Sequence, residues 1–275
     1  MSLFIQESGP LTAPTIVFLH GGGGAGWMWQ PQVEGLGDYH CLVPDLPEQG
    51  QSANEKPFTI QGSAEQIASL IRERAHGGRA LVVGLSEGAQ ITVALLAFAP
   101  ERVERAVVSS ALVRPIPGAW LMTPELIALA YRWSVPPFKN IEWWVRLNMK
   151  YAAGVPEKYY PQFSQTFREL TESGFTNVVV ENQRFRLPQG LEHVKAPTLI
   201  VVGKREYAAM RQSARDMANA IPSAQAFEVA HTRKMSLAEE HNWNLSTPEL
   251  FTRTVRAWMS DQPLPPALQP LKPRK

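Results

Sequence analysis

Short apolar runs alternate with helical periodicities along the first part of the chain. Thr15-Ile16-Val17-Phe18-Leu19 is one such run and stops at a glycine cluster. Cys41-Leu42-Val43, Leu81-Val82-Val83 and Ala106-Val107-Val108 repeat the theme. Runs that are apolar throughout, rather than at alternate positions, predict strands covered on both faces, as in a parallel sheet. Between the second and third runs, Ser63 followed by Gln66 predicts a capped helix start. Ile67, Leu70 and Ile71 give that helix an apolar stripe, and Gly77-Gly78 ends it. Residues 88–98 are apolar nearly all round, so a buried helix is expected there, closed by Pro100. Strand–helix–strand order at this spacing predicts an α/β fold with a mostly parallel central sheet flanked by helices.

From about Leu112 to Leu187 the strand-like runs nearly vanish, and Trp120, Trp133, Trp143 and Trp144 appear among helical stretches. The α/β rhythm then resumes with Thr198-Leu199-Ile200-Val201-Val202, a helix around 210–221 and a strand at 225–229. A last helix starts at Thr247-Pro248, with Phe251, Val255 and Trp258 on one face. The simplest organisation is one sheet domain, 1–111 with 188–261, interrupted by a helical lid at 112–187. In residues 262–275, Pro263, Pro265, Pro266, Pro270 and Pro273 predict a solvated, basic, flexible tail.

Composition narrows the function classes. A chain of 275 residues, 44% hydrophobic, can bury a sizeable core without cross-links. The single cysteine, Cys41, rules out an internal disulfide and is read as a small buried apolar residue. The formal charge of +2 comes from Lys272, Arg274 and Lys275, so the body lacks the basic footprint of a nucleic-acid or anionic-membrane binder. No apolar run is long enough to span a bilayer, and no basic stretch opens a signal peptide. A cytoplasmic protein is expected. No Cys/His cluster supports a metal site.

The candidate chemistry sits in two glycine-flanked segments. Gly84-Leu85-Ser86-Glu87-Gly88 follows a strand and opens the buried helix. A serine hydroxyl is a poor nucleophile unless it is held exposed beside a base, and a tight strand-to-helix turn with flanking glycines does that. His20-Gly21-Gly22-Gly23-Gly24 follows the first run. Acyl transfer builds charge on a former carbonyl oxygen, so two backbone donors must wait for it. Glu87, next to the serine, and Gly22 are the candidates for this oxyanion hole.

These marks resemble the α/β-hydrolase superfamily in its lid-bearing, esterase-like branch. The resemblance runs from about Thr15 to Met259. It rests on His20-Gly21-Gly22, Asp45-Leu46-Pro47-Glu48-Gln49-Gly50-Gln51-Ser52, the Ser86 pentapeptide, and His241 seven residues before Pro248. The second mark departs from the family's Asp-Leu-Pro-Gly-His-Gly-x-Ser, because Glu48 and Gln49 replace glycine and histidine. That loop is mainly structural in the family, so the change is expected to touch pocket polarity rather than mechanism. The resemblance implies an acid after the strand that follows the lid, where Gly203-Lys204-Arg205-Glu206 makes Glu206 the candidate. It also implies a histidine base. His241 fits the family's spacing to the final helix, and His231 at the end of the last strand stays an alternative. No cofactor is implied.

The expectation is therefore a serine hydrolase of carboxylic esters or similar small acyl compounds, with Ser86, His241 and Glu206 as the catalytic triad. Trp27, Trp29, Trp120 and Trp133 are candidate pocket residues, implying a small-molecule substrate with an apolar or aromatic group. His20 is expected to support its loop rather than act as a base. Two other classes remain: a non-catalytic ligand-binding or receptor protein of the same fold, and a nucleotide-dependent oxidoreductase. The latter would use Gly21, Gly23 and Gly26 as a dinucleotide fingerprint with Asp45 at the end of the next strand.

Overall fold

The computed structural model describes residues 3–116, 118–230 and 234–272, without the side chain of Trp120. Eight strands form one sheet: β1 (Ile5–Ser8), β2 (Thr15–Leu19), β3 (His40–Pro44), β4 (Ala80–Leu85), β5 (Val103–Ser109), β6 (Thr198–Gly203), β7 (Ala224–Val229) and β8 (Leu268–Pro270). Their order is β1-β3-β2-β4-β5-β6-β7-β8. The six inner strands are parallel, and the two edge strands are antiparallel to their neighbours.

The continuous apolar runs are explained by alternation across this sheet. Val17, Leu19, Leu42, Val82, Ala106, Val108, Ile200 and Val202 face one core. Ile16, Phe18, Cys41, Val43, Leu81, Val83, Val107, Leu199 and Val201 face the other. Helix α1 (Gln30–Gly35) follows β2, α2 (Ile60–Arg74) follows β3, and α3 (Glu87–Phe98) follows β4. Helices α2 and α3 cover the first core, where α3 is buried along nearly its whole length. The second core is closed by the last helix of the chain, through Phe251, Val255 and Trp258. Phe251 packs on Trp243 and Trp29 with ring centroids 4.4 and 5.4 Å apart. Each such buried side chain stabilises the fold by roughly 1.5–3 kcal/mol relative to an exposed one.

Between β5 and β6 the chain is helical: α4 (Pro124–Ser134), α5 (Glu142–Leu147), a π turn (Asn148–Ala152), α6 (Tyr160–Glu169) and α7 (Glu172–Arg184). Beyond β6 come α8 (Ala208–Ala220), then α9 (Leu237–His241), α10 (Trp243–Ser246) and α11 (Pro248–Met259). Among the described residues, no helix is long and apolar enough to cross a membrane.

Two expectations need correction. Helix α2 begins four residues earlier than the Ser63 signal implied, with its cap at Thr59 instead of Ser63. Thr59 caps it by accepting from the Gly62 amide at 3.0 Å, while Ser63 lies buried inside the helix. The segment after Asp261 is not a free tail throughout. Leu268–Pro270 pairs antiparallel with β7, Ala230 donates to Ala267 at 2.8 Å, Leu271 donates to Ala226 at 2.9 Å, and Leu268 is buried. Prolines that forbid a helix are compatible with an edge strand, where an N–H can be missing without breaking a ladder.

Candidate active site

Four neighbouring strands, β2, β4, β5 and β6, deliver their C-terminal ends to one edge of the sheet. After β2 the chain places β3 on one side and β4 on the other. This reversal opens a crevice beyond the ends of β2 and β4, where ligands bind in open α/β sheets. Leu19 is in register with Gly84, so the tetraglycine loop and Ser86 must leave the sheet side by side. A Cβ built on Gly21 would lie 3.4 Å from Ser86 Cβ.

Ser86 sits at φ 56° and ψ −112°, a backbone conformation that L-residues adopt only when their surroundings impose it. Its amide donates to Ser109 O at 2.8 Å, and its carbonyl accepts from Ala89 and Gln90 to open α3. The flanking glycines are steric requirements. A Cβ on Gly84 would collide with Gly88 and Thr92, and one on Gly88 with the Leu19 and His20 carbonyls. The turn therefore presents Ser86 half-buried at the crevice.

The loop after β2 is anchored from below. His20 is fully buried; its Nε2 accepts from the Leu46 amide at 3.0 Å, and its Nδ1 donates to Gly21 O at 2.9 Å. Burial lowers its pKa, against the charge of Asp45 and the Gly21 carbonyl, so the neutral ring supports the loop as expected. Among the described residues, the amides of Gly22 and Glu87 have no hydrogen-bond acceptor. The Glu87 amide is the first of α3's unpaired donors, where the helix dipole favours negative charge.

Glu206 and His241 meet on the opposite side. Glu206 is 4% exposed. Its Oε2 accepts from Ser110 Oγ at 2.9 Å and from the Gly203 amide at 2.8 Å. Its Oε1 accepts from His241 Nδ1 at 2.5 Å. His241 ends α9, which begins with a full capping box at Ser236 and Glu239. The buried Glu240 accepts from the Arg205 amide at 2.7 Å and so ties α9 to the Glu206 turn. Ser86 and His241 line the same cavity, and among the described residues no hydrogen bond joins their side chains. His231 lies outside the described residues.

That cavity has a volume of about 480 Å³ and runs from the tetraglycine loop under α6 and α7. Phe163, Phe167, Phe175, Val178 and Val179 make it largely apolar, Asn148, Asn182, Gln183 and Asn242 add neutral polar groups, and among the described residues no Asp, Glu, Lys or Arg lines it. Of the tryptophans expected here, Trp27 lines it, with Nε1 donating to Thr166 Oγ1 at 2.9 Å. Two others are corrections. Trp29 is wholly buried in the core against Phe18 and Phe251, and Trp133 is 74% exposed on α4, so neither reaches the cavity. The side chain of Trp120 lies outside what the structure describes.

The dinucleotide reading also fails on geometry. A short 3-10 turn and the six-residue α1 follow the glycines instead of a phosphate-binding helix. Asp45 is buried, with its oxygens bound by the Gly26 and Gln51 amides at 2.6 and 2.7 Å. Sequence reasoning missed Ser110, whose φ of 58° bends the end of β5 toward Glu206. It also missed the roles of Glu48 and Gln49. Glu48, at φ 60°, accepts from the Phe58 amide at 2.9 Å and from Asn177 on α7 at 2.6 Å. Gln49 bridges the Gly23 amide, at 2.7 Å, to the Glu87 carboxyl, at 3.1 Å.

The sequence profile of an alpha/beta hydrolase family matches residues 16–254. An AB hydrolase superfamily protein of Gibberella zeae is 26% identical over 96% of this chain and 86% of its own length. A carboxylesterase of Bacillus subtilis is 27% identical over 93% of this chain and 83% of its own. Among solved structures, the enol-lactonase from Burkholderia xenovorans LB400 superposes with a TM-score of 0.74 at 24% identity, covering 94% of this chain and 96% of that one.

Proposed function

The chain belongs to the alpha/beta hydrolase family, and from that premise we propose that it is a serine hydrolase of small, uncharged carboxylic esters or related acyl compounds. The observation that carries this reading is convergence. Ser86 at a strained turn, His241 held by Glu206, and the loop that carries the Gly22 amide share one uncharged cavity. In the proposed reaction Ser86 Oγ attacks the acyl carbon while His241 Nε2 takes its proton. Glu206 keeps the ring in the Nδ1–H form and stabilises the imidazolium. The amides of Gly22 and Glu87 receive the oxyanion, each contributing about 3 kcal/mol to the lowered barrier. His241 then returns the proton to the leaving group, and water repeats the sequence on the acyl-enzyme. The apolar walls favour an apolar or aromatic acyl or alcohol group. The carboxylesterase and enol-lactonase names of similar proteins support ester chemistry. The helices over the cavity serve as the lid that keeps bulk water out during acylation.

The test is an intact-mass shift with a fluorophosphonate probe, mapped to one serine, together with turnover of a p-nitrophenyl ester. Labelling at Ser86 that disappears in Ser86→Ala is expected. Unlabelled Ser86 and no product would leave a binding protein of the same fold.

A further inference from the structure

One buried acid near the reaction centre has no part in the chemistry above. The Glu87 side chain is fully buried at the start of α3. Its Oε2 accepts from Gln49 Nε2 at 3.1 Å, and Gln49 Oε1 accepts from the Gly23 amide at 2.7 Å. A Cβ built on Gly22 would come within 3.2 Å of the same Oε2. Two hydrogen bonds thus connect the residue after Ser86 to the loop that carries the other oxyanion donor. Among the described residues, Glu87 Oε1 has no hydrogen-bond partner, and neither has Oε1 of Gln90, one turn further along α3. A carboxylate in this position would be nearly unsolvated, and its charge would sit beside the oxyanion that the reaction must stabilise.

We propose that Glu87 is a positioning residue that works as a neutral carboxylic acid, fixing the tetraglycine loop through Gln49, and that its ionisation shuts the centre down. The inference rests on Ser86 being the nucleophile. Its surroundings favour the neutral form from each side. On α7, Glu181 adds a second negative charge while its own carboxylate accepts from the Ile60 amide at 2.8 Å. In the loop after β3, Gln49 is uncharged and the Glu48 carboxylate is occupied by Phe58 and Asn177. Below the glycine loop His20 is neutral, and across the cavity His241 is engaged with Glu206. Burial, reinforced by Glu181 and only partly offset by Gln49, pushes the Glu87 carboxyl up to about 8. The proton therefore leaves in mildly alkaline solution.

The experiment is kcat/KM against pH, from about pH 6 to pH 10, on a neutral p-nitrophenyl ester, with Ser86→Ala as the blank. In the unmodified protein the rate should fall at least about tenfold between pH 7 and pH 9.5. In Glu87→Gln, which mimics the neutral acid and cannot ionise, the same interval should change it by less than about twofold. Gln49→Leu should lower kcat about tenfold with little change in KM, since a displaced donor weakens the transition state rather than substrate binding. An alkaline fall that persists in Glu87→Gln, its absence from the unmodified protein, or an unchanged kcat in Gln49→Leu overturns the proposal. A complete lack of Ser86-dependent turnover is a separate failure, which removes the nucleophile assignment beneath it.

Discussion

Glu87→Gln should also make the protein more stable, by an amount that depends on pH in a specified way. The carboxyl's ordinary value of 4.5 rises to about 8 in the folded chain. Between those values the unfolded chain has lost a proton that the folded chain keeps, so folding binds a proton and stability falls as pH rises across the window. Raising a pKa by one is equivalent to about 1.4 kcal/mol. The whole span therefore costs on the order of 4–5 kcal/mol once the pH exceeds the folded value. The group is fully buried, so solvent screening does not reduce this. An amide of the same shape does not titrate and avoids the penalty. The difference between variant and unmodified protein should be a constant offset below about pH 4.5, widen through the window, and level off above about pH 8. For a chain of this size, that corresponds to roughly 10 °C or more in Tm at the alkaline end. Parallel thermal and urea unfolding of both proteins from pH 4 to pH 9.5 at fixed ionic strength measures it, with no need for turnover. A difference that is flat with pH, or that narrows toward alkaline pH, would refute the picture of a buried neutral acid.

Three further outcomes are expected. Glu48→Ala removes the acceptor shared by Phe58 and Asn177; hydrogen exchange over 172–184 should quicken, with a loss of about 1–3 kcal/mol. Burial pushes the Glu48 carboxyl up, but the Phe58 amide, Asn177, Ser173 and the charge of Lys56 together hold it below its usual range. Its contribution is therefore present above the ordinary carboxylate value and fades as pH falls through the lower folded one, so α7 should loosen in acid only while Glu48 is present. Glu206→Gln turns an acceptor of three donors into a group with a donor of its own, and kcat should drop on the order of 10⁴-fold with the fold intact by circular dichroism. Truncation after Asp261 strips β8 from β7; a loss of about 2–3 kcal/mol and concentration-dependent aggregation should follow, whereas an unchanged Tm would show the edge strand to be dispensable.

The sheet was legible because its strands are buried on both faces and so carry unbroken apolar runs, as at Thr15–Leu19 and Thr198–Gly203. The Ser86 turn was legible because the close approach of α3 to β4 admits only glycine at 84, and its approach to the end of β2 only glycine at 88, which leaves a mark in the sequence. Leu268–Pro270 was not legible, since its prolines argue against a helix but say nothing about an open sheet edge waiting nearby. Ser110 carries no local signal either. It becomes relevant only because β5 and β6 are neighbours, with Ser109 in register with Val201, and that proximity is tertiary. The tryptophans divided for the same reason: an indole's type fixes the area it can bury but not which surface receives it. Trp29 and Trp133 ended at opposite extremes of exposure.

The Glu48-Gln49 pair, where the chain departs from the family pattern, has a physical role of its own. Glu48 occupies a left-handed position that a glycine would fill without strain, at a cost of about 1–2 kcal/mol. Such strain persists only where the surroundings over-determine it, and here they do. The Glu48 carboxylate binds α7, and the adjacent Gln49 binds both the Gly23 amide and the Glu87 carboxyl. One stretch of backbone thereby fixes a wall of the cavity and the loop beside Ser86 together. A glycine-histidine pair at the same positions has no carboxylate to accept from the Phe58 amide and Asn177. The substitution changes more than pocket polarity, because it ties the placement of α7 and that of the tetraglycine loop beside Ser86 to the same two residues.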